Sequence, residues 1–484
     1  MSDFAQSGTL SGERFALNWY TFRVSFQKQQ SRALNGGVFA KEVLMKRFAL
    51  NSLLQWRQNG DNTPLVLDGA RRVGKTWLLQ ELGRVGFQRT LYLNLENNPN
   101  AYKLFRSLSG TQALLSGLEK TYNIPIDENT LLIFDEAQFA PDIFSRIKPL
   151  CEDVSWLRIA VAGSLMGLAL QREMAETDNK YSYPGNARNI KIYPMTFKEY
   201  LVATGNSNLL SLDSQNINIK SHNILRSYAL KYMITGGLPQ CINMFLQGDS
   251  FEDIREYQFS VLSLYERDFA KHVSTNETTE RLRQLWQSIA RQALNRKAHR
   301  HFNFKLIRKG GKRKEYEMPL AWLKDSGLIY CIHSVESVSH RPLTGYISTD
   351  IFRVHIFDIG LLGAMLHVPP TGIPEDDPAY SDIRGAFAEQ FVAQELISES
   401  IHEKNIFYWS YGNYEVDFLV ESSDKGIFPI EVKYSNARPS ESLSKYIHKY
   451  SPKYIYLTSF GCSQGKDESC VKSIPIYAIS SVMQ

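Results

Sequence analysis

Along the first two hundred residues, short apolar runs alternate with stretches in which apolar residues recur every three or four positions, so strands and helices are expected in turn. Leu65-Val66-Leu67 reads as a short buried strand, and Leu78, Leu79 and Leu82 then share one face of a helix. Thr90-Leu91-Tyr92-Leu93, Leu131-Leu132-Ile133-Phe134 and Leu157 to Ala162 read as further strands. Runs this apolar suit a parallel sheet buried on both faces, which predicts an α/β domain. Ahead of it, Phe48, Leu53, Leu54 and Trp56 keep helical spacing up to Asn59-Gly60.

The pattern then changes. Residues 205 to 222, rich in Asn and Ser, read as a surface connection. Tyr228 to Phe245 and Phe251 to Val273 have helical spacing, broken at Gly236-Gly237-Leu238-Pro239. Tyr316 to Leu323 predicts another helix, and Gly327 precedes the strand-like Leu328 to Ile332. Phe357-Asp358-Ile359-Gly360-Leu361-Leu362 reads as a turn into a helix. Five Pro and Gly residues between Val368 and Ile383 mark a linker. Beyond it, Phe387, Phe391, Val392 and Leu396 predict a helix, followed by strands at Ile406 to Trp409, Glu415 to Val420 and Ile430 to Lys433. A helix at Leu443 to Tyr450 and a strand at Tyr454 to Leu457 complete an αβββαβ order. Period two places Asp417 and Leu419 opposite Val416, Phe418 and Val420, and Pro429 is expected at the start of its strand.

A chain of 484 residues exceeds one core and predicts two to four domains. The expected division is an N-terminal extension to residue 44, an α/β domain over 45–204, a helical lid over 205–290, a winged-helix-like unit over 291–367, the linker over 368–383, and a C-terminal α/β domain over 384–484. The extension reads as poorly ordered or as an Arg-bearing targeting peptide. No apolar run approaches membrane-spanning length, which predicts no membrane partner and a cytoplasmic protein. Five scattered cysteines without C-x-x-C spacing argue against a disulfide framework or a zinc site. The net charge of +5 conceals an uneven distribution: residues 291 to 314 hold ten Lys/Arg and no acid. Helix, basic turn, helix and ribbon is the order of a winged helix, so this segment is expected to contact nucleic acid, DNA in the first instance. A solvated basic loop packed on the protein's own acids is the alternative.

Candidate chemistry begins directly after the first strand. Gly69-Ala70-Arg71-Arg72-Val73-Gly74-Lys75-Thr76 fits the phosphate-cradling pattern G-x-x-x-x-G-K-[ST] in a strand–loop–helix context. Its backbone N–H groups meet phosphate oxygens at the positive end of a helix dipole. Lys75 is expected on the β- and γ-phosphates of ATP and Thr76 on Mg²⁺. Asp135 and Glu136 close the Leu131 run, where the carboxyl end of a parallel strand faces bound nucleotide; Asp135 is expected to hold the Mg²⁺ hydration shell and Glu136 to polarise the attacking water. Ser164 either contacts the γ-phosphate or simply caps its strand.

Those motifs, together with Ala162-Gly163-Ser164 and Tyr193-Pro194-Met195-Thr196-Phe197-Lys198-Glu199-Tyr200, resemble prokaryotic AAA+-type ATPases whose C-terminal half is a domain of unknown function related to restriction endonucleases. The resemblance implies the helical lid with its Gly-Gly-x-Pro signature, and it draws attention to Asp268 without giving it a role. Arg188 is the basic residue nearest to Tyr193-Pro194, where the family carries a candidate arginine finger; a solvated arginine is the alternative. In the C-terminal stretch, Asp417 and Glu431-Val432-Lys433 resemble the D…E-x-K pattern of restriction-type (PD-(D/E)XK) nucleases, with Glu389 as the helical acid. Asp417 and Glu431 are then the metal ligands and Lys433 faces the water or the scissile phosphate. The resulting expectation is an ATP- and Mg²⁺-dependent DNA-processing enzyme. Its rival is a nucleotide-gated switch whose nuclease-like domain binds nucleic acid or protein without cutting. Homo-oligomerisation is left open.

Overall fold

The computed structural model describes residues 46–60, 62–108, 110–140, 142–164, 187–211, 217–272, 275–295, 301–399, 405–435, 438–461 and 471–483. The N-terminal extension, residues 165–186 and residues 296–300 of the basic segment lie outside them. The chain opens with α1 (Ala49–Gln58), β1 (Leu65–Asp68), α2 (Lys75–Gly86), β2 (Arg89–Asn94), α3 (Pro99–Ser107), α4 (Thr111–Tyr122), β3 (Thr130–Asp135), α5 (Ile143–Asp153), β4 (Arg158–Ala162) and β5 (Arg188–Lys191). These strands form one parallel sheet of order β2-β3-β4-β1-β5. Every position of β3 and β4 is buried. Leu132, Phe134, Ile159 and Val161 pack toward α3, α4 and α5, while Leu131, Ile133, Ala160 and Ala162 enter a core that continues to Val482. That shared core ties the sheet to the rest of the chain.

Next come α6 (Phe197–Ala203), α7 (Ile219–Thr235), α8 (Pro239–Gln247), α9 (Phe251–His272), α10 (Asn276–Leu294) and α11 (Arg313–Asp325). The Thr196 hydroxyl accepts the Glu199 N–H while the Glu199 carboxylate accepts the Thr196 N–H, a reciprocal cap that starts α6. The break between α7 and α8 is a packing requirement. A Cβ on Gly237 would sit 2.3 Å from Met195 O, and the Gly237 N–H donates to Asp358 Oδ2 at 2.7 Å. Asp358 also caps α12 (Ile359–Met365) through the Leu361 N–H at 3.0 Å. The Gly-Gly-x-Pro and Phe-Asp-x-Gly stretches are thus two sides of one contact.

The remaining elements are β6 (Ile329–Val335), β7 (Ile347–Ile356), α13 (Ser381–Glu399), β8 (Ile406–Tyr411), β9 (Tyr414–Ser422), β10 (Gly426–Val432), α14 (Glu441–Tyr450), β11 (Ile455–Ser459) and β12 (Val471–Pro475). The helix–helix–ribbon order of a winged helix is present in α10, α11, β6 and β7. Its ribbon, however, does not stand apart. β6 pairs in parallel with β8, Ser334 facing Tyr408 and Val335 facing Trp409. One seven-stranded sheet of order β12-β11-β10-β9-β8-β6-β7 therefore spans both sides of the expected linker. The physical reason is edge satisfaction: β6 has one neighbour in its own hairpin, and its other edge finds backbone partners in β8. Helix α13 reinforces this union. Gln390 donates to Ile356 O, Gln394 accepts the Ile359 N–H and donates to Tyr232 Oη, and Glu395 accepts the Phe197 N–H.

Two strand expectations are corrected. Pro429 lies inside β10, opposite Leu419, rather than at its start. It is tolerated because pairing with β11 begins only at Ile430. Strict alternation in β9 also fails, since Tyr408 faces both Asp417 and Phe418 across a bulge. Val416 consequently joins Leu419 in the cluster with Leu443 and Tyr446 of α14, while Phe418 and Val420 enter the main core. Among the described residues no helix is long and apolar enough to cross a membrane.

Candidate functional site

The carboxyl ends of β1, β3 and β4 meet at one sheet edge, because the strands are parallel and β4 lies between the other two. Gly69 to Gly74 form the loop out of β1, and Lys75 opens α2. Gly69 takes φ 143°, and a Cβ there would lie 2.3 Å from Ile192 O, so only glycine lets the loop press against the end of β5. Ala70 and Val73 are buried and anchor the loop, while Arg72 is exposed. Gly74 takes φ 96°, and the Val73 carbonyl beside it accepts a 2.6 Å hydrogen bond from Arg47 Nη1.

Lys75 Nζ donates to Gly69 O and Ala70 O at 2.7 and 2.8 Å. Burial pulls its pKa down to about 8, against the attraction of Asp68, Glu136 and Asp135. Thr76 Oγ1 donates to Asp135 Oδ2 at 2.7 Å, and Tyr92 Oη donates to the same oxygen at 2.8 Å. A hydroxyl and a carboxylate side by side at a helix N-terminus fit a hydrated Mg²⁺ on a nucleotide, with Thr76 as the direct donor and Asp135 behind it. When bound, that ion would neutralise charge on the β- and γ-phosphates.

Glu136 takes a left-handed φ of 54°, which turns its carboxylate away from the path of β3. Gln138 Nε2 donates to Glu136 Oε2 at 2.5 Å and to Ser164 Oγ at 3.2 Å. Ser164 is buried, and its hydroxyl also accepts from Arg71 Nε at 3.1 Å. Lys75, Thr76, Glu136 and Ser164 thus line one cleft of about 690 Å³ with Arg71, Arg72 and Gly74. Helix α9 contributes Tyr257 and Leu264 to the cleft wall, and behind them Arg71 Nη1 lies 3.2 Å from Asp268 Oδ2 and Tyr265 Oη donates to Arg71 O at 2.8 Å. The sequence reading left Asp268 without chemistry and overlooked Tyr92 and Gln138. The signal for Asp268 was a single acid whose neighbour Phe269 belongs to the apolar face of the helix.

Arg188 is the first residue of β5, pairs in register with Leu65, and is exposed. The loop leaves the other end of that strand pair, after Asp68. Arg188 lines a separate cleft with Arg47 and Glu399, which supports the solvated reading within this chain.

The C-terminal residues also gather. Lys433 Nζ lies 2.6 Å from Glu431 Oε1, Asp417 Oδ2 accepts the Val432 N–H at 2.8 Å, and Glu431 Oε2 accepts the Ser440 N–H at 3.2 Å. Burial alone would lower the Lys433 pKa, but Glu431, Asp417 and Glu415 outweigh it and raise it. Glu389, Glu415, Asp417 and Lys433 line a second cleft of about 800 Å³. Within it Arg353 of β7, only 3% exposed at its side chain, reaches Glu389 Oε1 at 2.9 Å, Glu415 Oε2 at 2.9 Å and Asp417 Oδ1 at 3.6 Å. Its guanidinium also stacks over the Tyr408 ring at 4.5 Å.

A guanidinium therefore occupies the space between the helical acid and the strand acid, and Glu431 is committed to Lys433 and to the backbone of α14. Among the described residues no group of three acid, His or Cys side chains is arranged to hold a metal ion. Of the expected metal pair, Asp417 accepts the Val432 N–H and faces Arg353, and Glu431 faces Lys433. Arg353 was detectable as one cation inside Ile351-Phe352-Arg353-Val354-His355-Ile356, where a buried charge demands partners.

Comparison with known proteins divides the chain in three. Residues 61–201 match the AAA domain family, residues 226–372 a domain of unknown function (DUF8612), and residues 384–479 another (DUF4143). An uncharacterised protein of Methanocaldococcus jannaschii is 22% identical over 410 residues, covering 79% of this chain and 77% of that one. Among solved structures, the Walker-type ATPase of Pyrococcus abyssi superposes with TM-score 0.42 at 15% identity, over 66% of this chain and 95% of that one. RuvB of Thermotoga maritima superposes with TM-score 0.27 at 13% identity, over 58% and 87%. The match over residues 61–201 takes in the phosphate loop and the strands that end at Asp135 and Ala162, and the C-terminal match carries no nuclease assignment.

Proposed function

We propose that this protein is a nucleotide-gated switch: it hydrolyses ATP with Mg²⁺ in the P-loop cleft and passes the nucleotide state to a nucleic-acid-binding surface. Lys75 and the loop amides hold the phosphates, Thr76 and Asp135 hold the ion, and Glu136 orients the attacking water. The observation that carries the reading is the contact of the phosphate loop with the rest of the chain. Arg71 touches the lid through Asp268 and Tyr265, and a Cβ on Gly327, just ahead of β6, would come within 3.3 Å of Ala70 N. A change at the phosphates is thereby felt in α9 and in the β6–β7 ribbon. Support for a nucleic acid partner comes from the exposed Lys305, Lys309, Lys312 and Lys314 between α10 and the start of α11.

The test has two arms. Lys75→Ala should abolish ATP hydrolysis, and duplex DNA affinity should differ between ATP-analogue and ADP states and fall steeply with salt. Equal affinity in both nucleotide states would refute the gating.

A second reading, Mg²⁺-dependent phosphodiester hydrolysis through Glu389, Asp417, Glu431 and Lys433, is favoured by Glu389, Asp417 and Lys433 lining one cleft and Glu431 lying against Lys433. It requires Arg353 to leave the acids. DNA cuts that appear with Mn²⁺ and vanish in Glu431→Ala and Lys433→Ala would establish it.

A further inference from the structure

We propose that Arg71 is the cation that meets the terminal phosphate of ATP from within the same chain, and that Asp268 of the lid holds it in place for that role. The inference rests on the ATPase reading above and assigns a residue that reading leaves without a task.

Arg71 belongs to the phosphate loop itself, two residues after Gly69, yet its side chain crosses the cleft to the end of β4. Its Nε donates to Ser164 Oγ at 3.1 Å, and Ser164 Oγ lies 3.5 Å from Glu136 Oε2. The guanidinium is therefore on the same side of the cleft as the carboxylate that handles the attacking water.

Orientation is imposed from the lid. Asp268 is buried to 3% exposure at its side chain and takes Arg71 Nη1, while the Arg71 side chain keeps 16% exposure to the cleft. Burial raises the Asp268 pKa, with Glu136 pushing the same way, and the charges of Arg71, Lys271 and Arg267 oppose it. A guanidinium has five N–H donors on three nitrogens. Nε is engaged by Ser164 and Nη1 by Asp268, and the Nη2 N–H groups are the ones we assign to the phosphate.

The cleft wall also carries Arg47, Arg72 and Lys75, of which Arg72 is exposed to solvent. Arg47 is fixed by Glu199, Val73 O and Tyr193 O, and Lys75 lies under the loop on Gly69 O and Ala70 O. Arg188 is at the opposite end of the β1–β5 pair. In hydrolysis the water oxygen bonds to the γ-phosphorus as the bond to the β,γ-bridging oxygen breaks. The electron pair leaves with ADP, and the water proton passes to Glu136 and on to solvent or product phosphate. Negative charge spreads over the γ-oxygens and the bridge, where a fixed guanidinium stabilises it.

The experiment compares ATPase kinetics and binding of a fluorescent ADP analogue for the full chain and four variants: Arg71→Ala, Arg71→Lys, Asp268→Asn and Lys75→Ala. Arg71→Ala is expected to lose roughly 100-fold or more in kcat, with ADP affinity altered by less than about threefold and ADP–aluminium fluoride trapping lost. Arg71→Lys should not restore trapping, because an ammonium cannot span Ser164, Asp268 and phosphate together. Asp268→Asn should lower kcat about tenfold at unchanged ADP affinity. Mixing Arg71→Ala with Lys75→Ala protein should restore nothing. The proposal is overturned if Arg71→Ala hydrolyses ATP within about threefold of the parent while Lys75→Ala is dead, or if mixing restores activity. Should Lys75→Ala also remain active, it is the ATPase reading that fails. Arg71→Lys, which keeps the charge, covers the case in which the alanine variant does not fold.

Discussion

Arg353 Nη1 donates to Glu389 Oε1 at 2.9 Å, joining the outer strand of the expected winged helix to the helix that should complete a nuclease-like metal site. The guanidinium balances one of the three carboxylates around it, so the centre retains negative charge next to an open cleft. Whether this centre takes a divalent ion is thus decided by a residue outside the D…E-x-K pattern.

Arg353→Ala should destabilise the protein by roughly 3–5 kcal/mol, because three carboxylates lose their buried counter-charge. Mn²⁺ should recover much of that loss in melting temperature, and Arg353→Ala/Asp417→Asn should recover less. The parent should show no Asp417-dependent shift. Differential scanning fluorimetry at constant ionic strength reads all three; an equal Mn²⁺ shift in parent and variant would show that Arg353 is no obstacle.

Lys75 should impose a pH limit on nucleotide binding. Its pKa of about 8 without nucleotide lies below that of a free lysine, and a bound triphosphate raises it again by stabilising the ammonium. Binding therefore takes up a proton above pH 8. Affinity for a non-hydrolysable ATP analogue should be level below pH 7.5 and weaken by up to about tenfold per pH unit above 8. Lys75→Arg, always charged, should lack this dependence; calorimetry in two buffers of different ionisation enthalpy counts the proton.

Glu395 should make the parent protein less stable in alkali. Burial raises its pKa to about 8, only partly offset by the Phe197 N–H; Glu399 and Glu199 push the same way and Lys198 opposes. A folded pKa above the unfolded one means full stability below the unfolded pKa, with loss as pH rises through about 8. Glu395→Gln keeps the acceptor for Phe197 N–H and removes the titration. It should match the parent at pH 5 and melt about 2–5 °C higher at pH 9.

Gly237→Ala should cost about 2–4 kcal/mol, since its Cβ would sit 2.3 Å from Met195 O, 2.9 Å from Pro194 Cβ and 3.0 Å from Met195 N. Gly248→Ala serves as a control: its Cβ meets nothing within 4 Å, so its cost is confined to the positive φ of 89°. Chemical denaturation of both variants should show the larger loss at Gly237.

Much of the nucleotide site was legible because its chemistry is contiguous. Eight consecutive residues set the loop, and buried strands ending in Asp135-Glu136 and Gly163-Ser164 announce where its partners lie. Tyr92 and Gln138 were not legible: each is one polar residue near a strand end, and only the sheet order β2-β3-β4 brings them onto Asp135, Glu136 and Ser164.

Local pattern likewise determined the αβββαβ order and placed Asp417 and Glu431 on neighbouring strands with Lys433 just past the second, since strand period and turn residues act over a few positions. Only tertiary structure decided what occupies the space between them. Arg353 and Asp417 are 64 positions apart, Arg71 and Asp268 are 197 apart, and β6 finds β8 across the whole α12–α13 segment. A strand's alternation states which face is apolar but not which edge will be paired, and a buried charge states that it needs a partner but not which one. Those choices are made when the whole core closes, and here they decide which cation stands at each carboxylate.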